Sequence, residues 1–269
     1  MKARKRQNGT LRFCICLQTM LTLLNLASVP ARANGLIEAI KDVRRSVVAI
    51  GTYQQLGQPP VRLRGTGFVV ADGGYVITNA HVLPKKLDAK NQETLQAFYG
   101  IEAQAKHYEL DVVEEDDVHD LALLRIIGKA KLPAMSLSKT MAPEGARAAI
   151  TGYPLGSLLG LYPITHEGII SAVKERSFAA YHQGQLTADR VRRLRASFIV
   201  YQIDTNAYPG NSGSPLYDPE SRKVIGVVQS VAVREKTQTS AIEAPTGFTF
   251  AVPASFVSQL LARNNLSGY

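Results

Sequence analysis

The sequence predicts an all-β fold in two units, with a short helix before the first and another after the second. Short apolar or alternating runs, separated by turn residues, fill most of the chain. They fall into two sets of about six, parted by Lys131 to Arg147 (KLPAMSLSKTMAPEGAR), whose Pro, Ser and Gly content is that of a connection. Strands are expected near 47–53, 63–70, 74–79, 94–99, 108–113 and 120–127, and again near 147–152, 163–172, 197–203, 213–217, 223–231 and 246–252. Each set spans about 100 residues, which suits paired barrels or sandwiches. Before the first strand, Leu36, Ile37, Ile40 and Val43 share one helical face, and Ala254 to Arg263 reads as a closing helix.

Residues 1–33 read as an export signal and not as part of this fold. Lys2, Arg4, Lys5, Arg6 and Arg12 form a basic start, Phe13 to Ala27 is mostly apolar, and Ala31-Arg32-Ala33 offers a small-residue cleavage site. An uncut anchor is the other reading. At about 15 residues the apolar run falls short of the ~20 that span a bilayer, so cleavage near Asn34 is expected, with no stable membrane insertion afterwards. The signal-peptide reading makes the protein exported, to a periplasm or to the medium.

Cleavage changes what the composition implies. The whole chain has 31 Lys+Arg against 22 Asp+Glu, a net charge of +9. The leader holds six of those bases and no acid, so the remainder carries +3. That balance argues against nucleic acid as a partner. Cys14 and Cys16 leave with the leader, which excludes a disulfide or a cysteine metal site in the exported part. No pair of histidines has metal-ligand spacing, and no cofactor is expected.

Three stretches carry the chemistry. GYVITNAHVL sets His81 just after a strand, DDVHDLALLRI sets Asp120 at the head of one, and PGNSGSPL sets Ser212 in a glycine-rich turn that leads into another. A serine hydroxyl becomes nucleophilic when an imidazole takes its proton, and a carboxylate fixes the tautomer of that imidazole. Gly210, lacking a Cβ, lets its N–H turn towards the same point as that of Ser212, which makes Gly210, Asn211 and Ser212 the candidate oxyanion turn. Asp116 and Asp117 compete with Asp120, which is preferred because it directly precedes a strand. His107, His119, His166 and His182 read as surface or satisfied histidines. A Gly-x-Ser-x-Gly elbow fails at Ser214, and Gly65-Thr66-Gly67 lacks the helix that a dinucleotide site needs.

In the order GTGFVVADGGYVITNAHVL, DLALLRI, GYPLGS…HEGIISAV, DTNAYPGNSGSPL and VIGVVQS…FTFAVP, the chain resembles HtrA/Deg-type trypsin-like serine proteases from about Leu36 to Phe256. The resemblance implies a chymotrypsin-like fold of two six-stranded antiparallel β-barrels: 34–135 with His81 and Asp120, and 136–269 with Ser212. It further implies His81 as general base, Asp120 as its orienting carboxylate and Ser212 as nucleophile. Polypeptides are the implied substrates, and the family leaves room for a homo-oligomer. By motif offset Asn206, Ala207, Val228, Gln229 and Ser230 would line the specificity pocket. With no positive charge there, small or medium apolar side chains are the expected preference.

Three departures from the family pattern matter. A peptide-binding PDZ domain is not expected after Ala254 to Tyr269, nor substrate capture through such a module. Ser214 stands where HtrA proteins usually have glycine. Asn211 stands where digestive relatives carry an aspartate that pairs with a new N-terminus, so zymogen-type activation is not expected. Tyr181 to Ala196, with four arginines, is either a solvated face or a regulatory loop. A chaperone-like or binding module that keeps the fold without turnover is the rival function, and the Ser-His-Asp set argues against it.

Overall fold

The computed structural model describes residues 34–101, 104–154, 160–175, 197–205, 207–229 and 249–268. The expected leader, the arginine-rich segment, Asn206 and Ser230 lie outside them. Within the described residues the first barrel is formed by β1 (Val47–Tyr53), β2 (Val61–Val70), β3 (Tyr75–Thr78), β4 (Thr94–Tyr99), β5 (Lys106–Asp116) and β6 (Leu121–Ile126). The second is formed by β7 (Arg147–Gly152), β8 (Ile164–Glu175), β9 (Ile199–Asp204), β10 (Pro215–Tyr217), β11 (Val224–Gln229) and β12 (Thr249–Pro253). Both are closed, with neighbour orders β1-β2-β3-β6-β5-β4 and β7-β8-β9-β12-β11-β10. The second order is the first moved along by six strands. All neighbours are antiparallel, so every strand has two partners and neither sheet has a free edge.

Side-chain alternation explains the continuous apolar runs. Val48 and Ile50 of β1 point into the first barrel with Val69, Val76 and Leu124. Val47 and Ala49, one residue out of phase, join Phe68, Ile77, Leu121 and Leu123 in a core shared with Tyr153, Val200, Tyr217 and Val227 of the second half. A strand buried on both faces needs no polar alternation, and the Val47-Val48-Ala49-Ile50 run has none. Leu123 is fully buried in the shared core. Leu123→Ala is expected to lower unfolding free energy by about 2–5 kcal/mol, read from urea titrations. A loss under about 1 kcal/mol would contradict its place in that core.

Both helices close on the shared core. The C-terminal helix, Ala254–Arg263, buries Ala254, Val257, Leu260 and Leu261, one face at helical spacing. The N-terminal helix, Asn34–Val43, turns Ala39 and Val43 inward with Leu36 beside them. Ile37, expected on that face, is 55% exposed. Its place is taken by Ala39, at i+3 from Leu36 and small enough to let the helix sit close.

Two strands are longer than their apolar content predicts. β5 is mostly exposed and polar, yet it runs to Asp116 because its first half pairs with β4 and its second half with β6. β8 likewise pairs with β7 through Ile169 and with β9 from there to Glu175. Each changes partner near a bulge, at Val112/Glu114 and at Ile170/Ala172, where the extra residue bends the strand round the barrel. β10 is shorter than expected: it starts at Pro215, since Gly213 has φ +86° and belongs to the preceding turn.

Candidate active site

His81 lies in a 3₁₀ turn, Ala80–Val82, directly after β3. Arg64 of β2 steadies that turn, donating from Nε to the Val82 carbonyl at 2.6 Å. Asp120 stands at the mouth of β6 with φ +56°, a left-handed conformation that aspartate tolerates better than most residues. Its carbonyl accepts from the Ala80 N–H at 3.2 Å and from Asn79 Nδ2 at 2.9 Å, which fixes the two loops against each other. Oδ1 accepts the His81 backbone N–H at 2.9 Å, and Oδ2 lies 2.7 Å from His81 Nδ1. A carboxylate only accepts, so in the neutral imidazole Nδ1 carries the proton and Nε2 keeps its lone pair. The Asp120 side chain is 15% exposed and that of His81 41%. The base can reach a substrate while its carboxylate is largely shielded.

Asp116, the rival carboxylate, is engaged elsewhere. Its Oδ2 is 2.9 Å from His119 Nδ1 and 3.1 Å from an Arg263 nitrogen. Burial raises its pKa, but the hydrogen bonds from His119 and Arg263 outweigh burial and hold it below the ordinary carboxylate value. His119 stacks on Phe256 with ring centroids 3.9 Å apart, a histidine satisfied by Asp116 and an aromatic neighbour.

Ser212 sits in the turn before β10, and the turn is docked on the first barrel. The Ser212 carbonyl accepts the Thr66 N–H at 2.9 Å, and Thr66 Oγ1 donates to the Gly210 carbonyl at 2.7 Å. A Cβ on Gly213 would lie 2.1 Å from the Thr66 carbonyl and 3.2 Å from the Asn79 nitrogen. Only glycine lets the turn come that close to the segment that carries His81. Gly210 has φ +99°. Among the described residues neither the Gly210 N–H nor the Ser212 N–H has an acceptor, whereas the Asn211 N–H donates to the Tyr208 carbonyl at 2.9 Å. Asn211, grouped with the oxyanion residues, therefore spaces the two free donors and offers no backbone donor itself. Its side chain is buried and, among the described residues, has no partner; it lies beside an equally unpartnered Ser214 hydroxyl.

The expected pocket residues divide. Val228, expected in the pocket wall, instead packs inside the second barrel with Ile150, Leu216 and Ile225, as does Ala207. The reason is strand alternation: on β11, Val227 faces the shared core, so Val228 faces the barrel interior. Gln229 reaches across to the first barrel. Its Nε2 donates to the His119 carbonyl at 2.9 Å and to Asp120 Oδ2 at 3.3 Å, a second donor on the carboxylate that holds His81. The spacing does not single out Thr66 or Arg64, because each acts through a partner distant in sequence, and it assigns Gln229 to the pocket and not to Asp120.

His166 on β8 is close to the turn, its ring 5.9 Å from that of Tyr208. Its Nε2 is buried without a partner among the described residues, and burial lowers its pKa. The unfolded chain, with a histidine value near 6.5, then binds this proton more readily than the folded one, so stability rises with pH through this range. It is lost as pH falls from about 6.5 towards the folded value. The urea midpoint is expected to drop between pH 7 and 5, and to drop less in His166→Gln. Identical slopes in both proteins would refute this assignment.

Among the described residues no helix is long and apolar enough to cross a membrane, and no group of three or more His, Cys, Asp or Glu could hold a metal. Two closed antiparallel barrels, with a His–Asp pair on one and a serine turn from the other docked beside it, define the two-barrel chymotrypsin-like class. The chain belongs to the trypsin-like peptidase domain family, whose model matches residues 65–227. It is similar to the HTRA1 serine protease of Xenopus tropicalis, 24% identical over 236 residues that cover 86% of this chain and 43% of the relative. With the HTRA4 serine protease of Homo sapiens it is 30% identical over 198 residues, 74% of this chain and 34% of the relative. It thus spans roughly two fifths of the length of such relatives, or less. Among solved structures it is similar to the active form of the Rv3671c protease from M. tuberculosis, with TM-score 0.62, 25% identity and 88% of each chain covered.

Proposed function

We propose that the chain is an exported serine endopeptidase that cleaves unfolded or damaged polypeptides through an acyl-enzyme. His81 is the general base, Asp120 its orienting carboxylate and Ser212 the nucleophile. The observation that carries this reading is the double contact of Asp120 with His81, 2.9 Å to its backbone N–H and 2.7 Å to Nδ1. A binding cleft has no use for an imidazole held in one tautomer. Attack by Ser212 Oγ passes its proton to His81 Nε2, and the oxyanion that forms is met by the Gly210 and Ser212 N–H groups. On collapse of the intermediate His81 returns the proton to the leaving amine, and water repeats the cycle on the acyl-serine.

Membership of the trypsin-like peptidase family supports the reaction class. Export rests on the basic, apolar and small-residue pattern of residues 1–33. The test incubates purified protein and Ser212→Ala with denatured casein; cleavage by the wild type alone is expected, and equal cleavage by both would overturn the proposal. A fluorophosphonate distinguishes the rival binding module, which should not be labelled at Ser212. Comparing labelled periplasm, medium and membranes after expression tests export.

A further inference from the structure

We infer that Thr66, on the first barrel, is a positioning residue for the oxyanion turn: its hydroxyl holds the Gly210–Asn211 peptide so that Gly210 presents its N–H. The inference rests on reading Ser212 as the nucleophile. Thr66 is fully buried on β2. Its Oγ1 is 2.7 Å from the Gly210 carbonyl and 2.9 Å from the Tyr153 nitrogen. The roles are unambiguous, since a carbonyl can only accept and a backbone N–H can only donate. The single hydroxyl proton therefore goes to Gly210.

Its backbone grips the same turn. The Thr66 N–H donates to the Ser212 carbonyl at 2.9 Å, and the Thr66 carbonyl, itself held by Thr78 Oγ1 at 2.6 Å, fills the space a side chain at 213 would need. The turn is thus held at 210, 212 and 213 from the other barrel. Of these three contacts only the one at 210 depends on the identity of the side chain.

That contact is at the residue most in need of it. Gly210 occupies φ +99°, which glycine reaches freely and can leave as freely. Its own N–H is bound to no described residue, so its direction is set only by what restrains the neighbouring groups. The peptide plane between Gly210 and Asn211 is restrained at both ends, by Thr66 at the carbonyl and by the Tyr208 carbonyl at the Asn211 N–H, 2.9 Å away. Without the hydroxyl, the half-buried Gly210 carbonyl and the buried Tyr153 N–H lose their described partner. Rotation of the plane towards another donor relieves this and turns the Gly210 Cα, through which the preceding peptide is joined, so the Gly210 N–H of that peptide loses its aim.

The contrast between valine and serine isolates the hydroxyl. Thr66→Val keeps shape and loses the donor; Thr66→Ser keeps the donor and loses a methyl group. Thr66→Val is expected to lower kcat on a peptide substrate by about 10–10²-fold, with KM within about twofold, because the affected group meets charge that develops only in the transition state. Affinity for a peptide boronate, which forms a tetrahedral adduct, should fall by a similar factor. Thr66→Ser should stay within about threefold of wild type on each measure. Amide exchange at Tyr153 and Asn211 should quicken in Thr66→Val and not in Thr66→Ser. Thr66→Ala, which also lacks the donor, replaces the valine variant if that one does not fold. Wild-type kcat and exchange in a folded variant without the hydroxyl would overturn the inference, as would an equal loss in Thr66→Ser. Should wild type neither hydrolyse peptide nor take up label, the proposed function fails, and the exchange comparison still decides whether Thr66 holds the turn.

Discussion

Ser212→Ala is expected to lower kcat by about 10⁶-fold and to abolish fluorophosphonate labelling, with KM little changed. The size follows from what is removed. Without Oγ no acyl-enzyme can form, and His81 has no proton to accept; only the free N–H pair and substrate binding remain to assist water. The fold should not change. The contact that docks residue 212 is its carbonyl on the Thr66 N–H at 2.9 Å, and alanine retains it. Circular dichroism and thermal midpoint should therefore match wild type, which separates chemical loss from misfolding. Residual hydrolysis within about tenfold of wild type would remove Ser212 from the proposed mechanism.

Asp120→Asn is expected to cost about 10⁴-fold in kcat at neutral pH. The carboxylate accepts from His81 twice, at the backbone N–H and at Nδ1, and also from Gln229 Nε2. An amide can present its oxygen on only one side. With Oδ1 kept on the His81 backbone N–H, the amide nitrogen faces Nδ1 and donates to it, so the ring proton moves to Nε2. An imidazole in that tautomer cannot take the serine proton. Backbone strain is not the cause, because asparagine accepts the left-handed φ of +56° about as well as aspartate does. KM and thermal midpoint should change little. A loss under tenfold, or one mirrored by a large fall in thermal midpoint, would argue that Asp120 is structural.

The two predictions differ in how far each rests on the chain alone. Ser212 can be picked from its glycine-rich turn, and His81 from its place after a strand, because turn chemistry and strand ends are local. Choosing among Asp116, Asp117 and Asp120 on the same grounds is a matter of preference. Geometry separates Asp116 from Asp120: it turns the first to His119 and Arg263 and the second to His81. The strands follow the same rule. β1 and β6 are apolar on both faces and stand out in the sequence, while β5 and β8 are polar and acquire their length from partners on two sides.

The pocket shows the limit most clearly. Motif offset puts Val228 and Gln229 at a substrate, yet strand phase sends one into the second barrel and the other to Asp120. By itself the sequence determined the two-unit β architecture, the family and the turn that carries Ser212, since periodicity, glycine placement and motif order are properties of neighbouring residues. Only the tertiary structure decided which carboxylate reaches His81 and that Thr66, 144 residues from Gly210, holds the turn. The first joins two loops of one barrel, 39 residues apart, and the second joins the two barrels; hydrogen bonds across such separations leave no periodic trace in the chain.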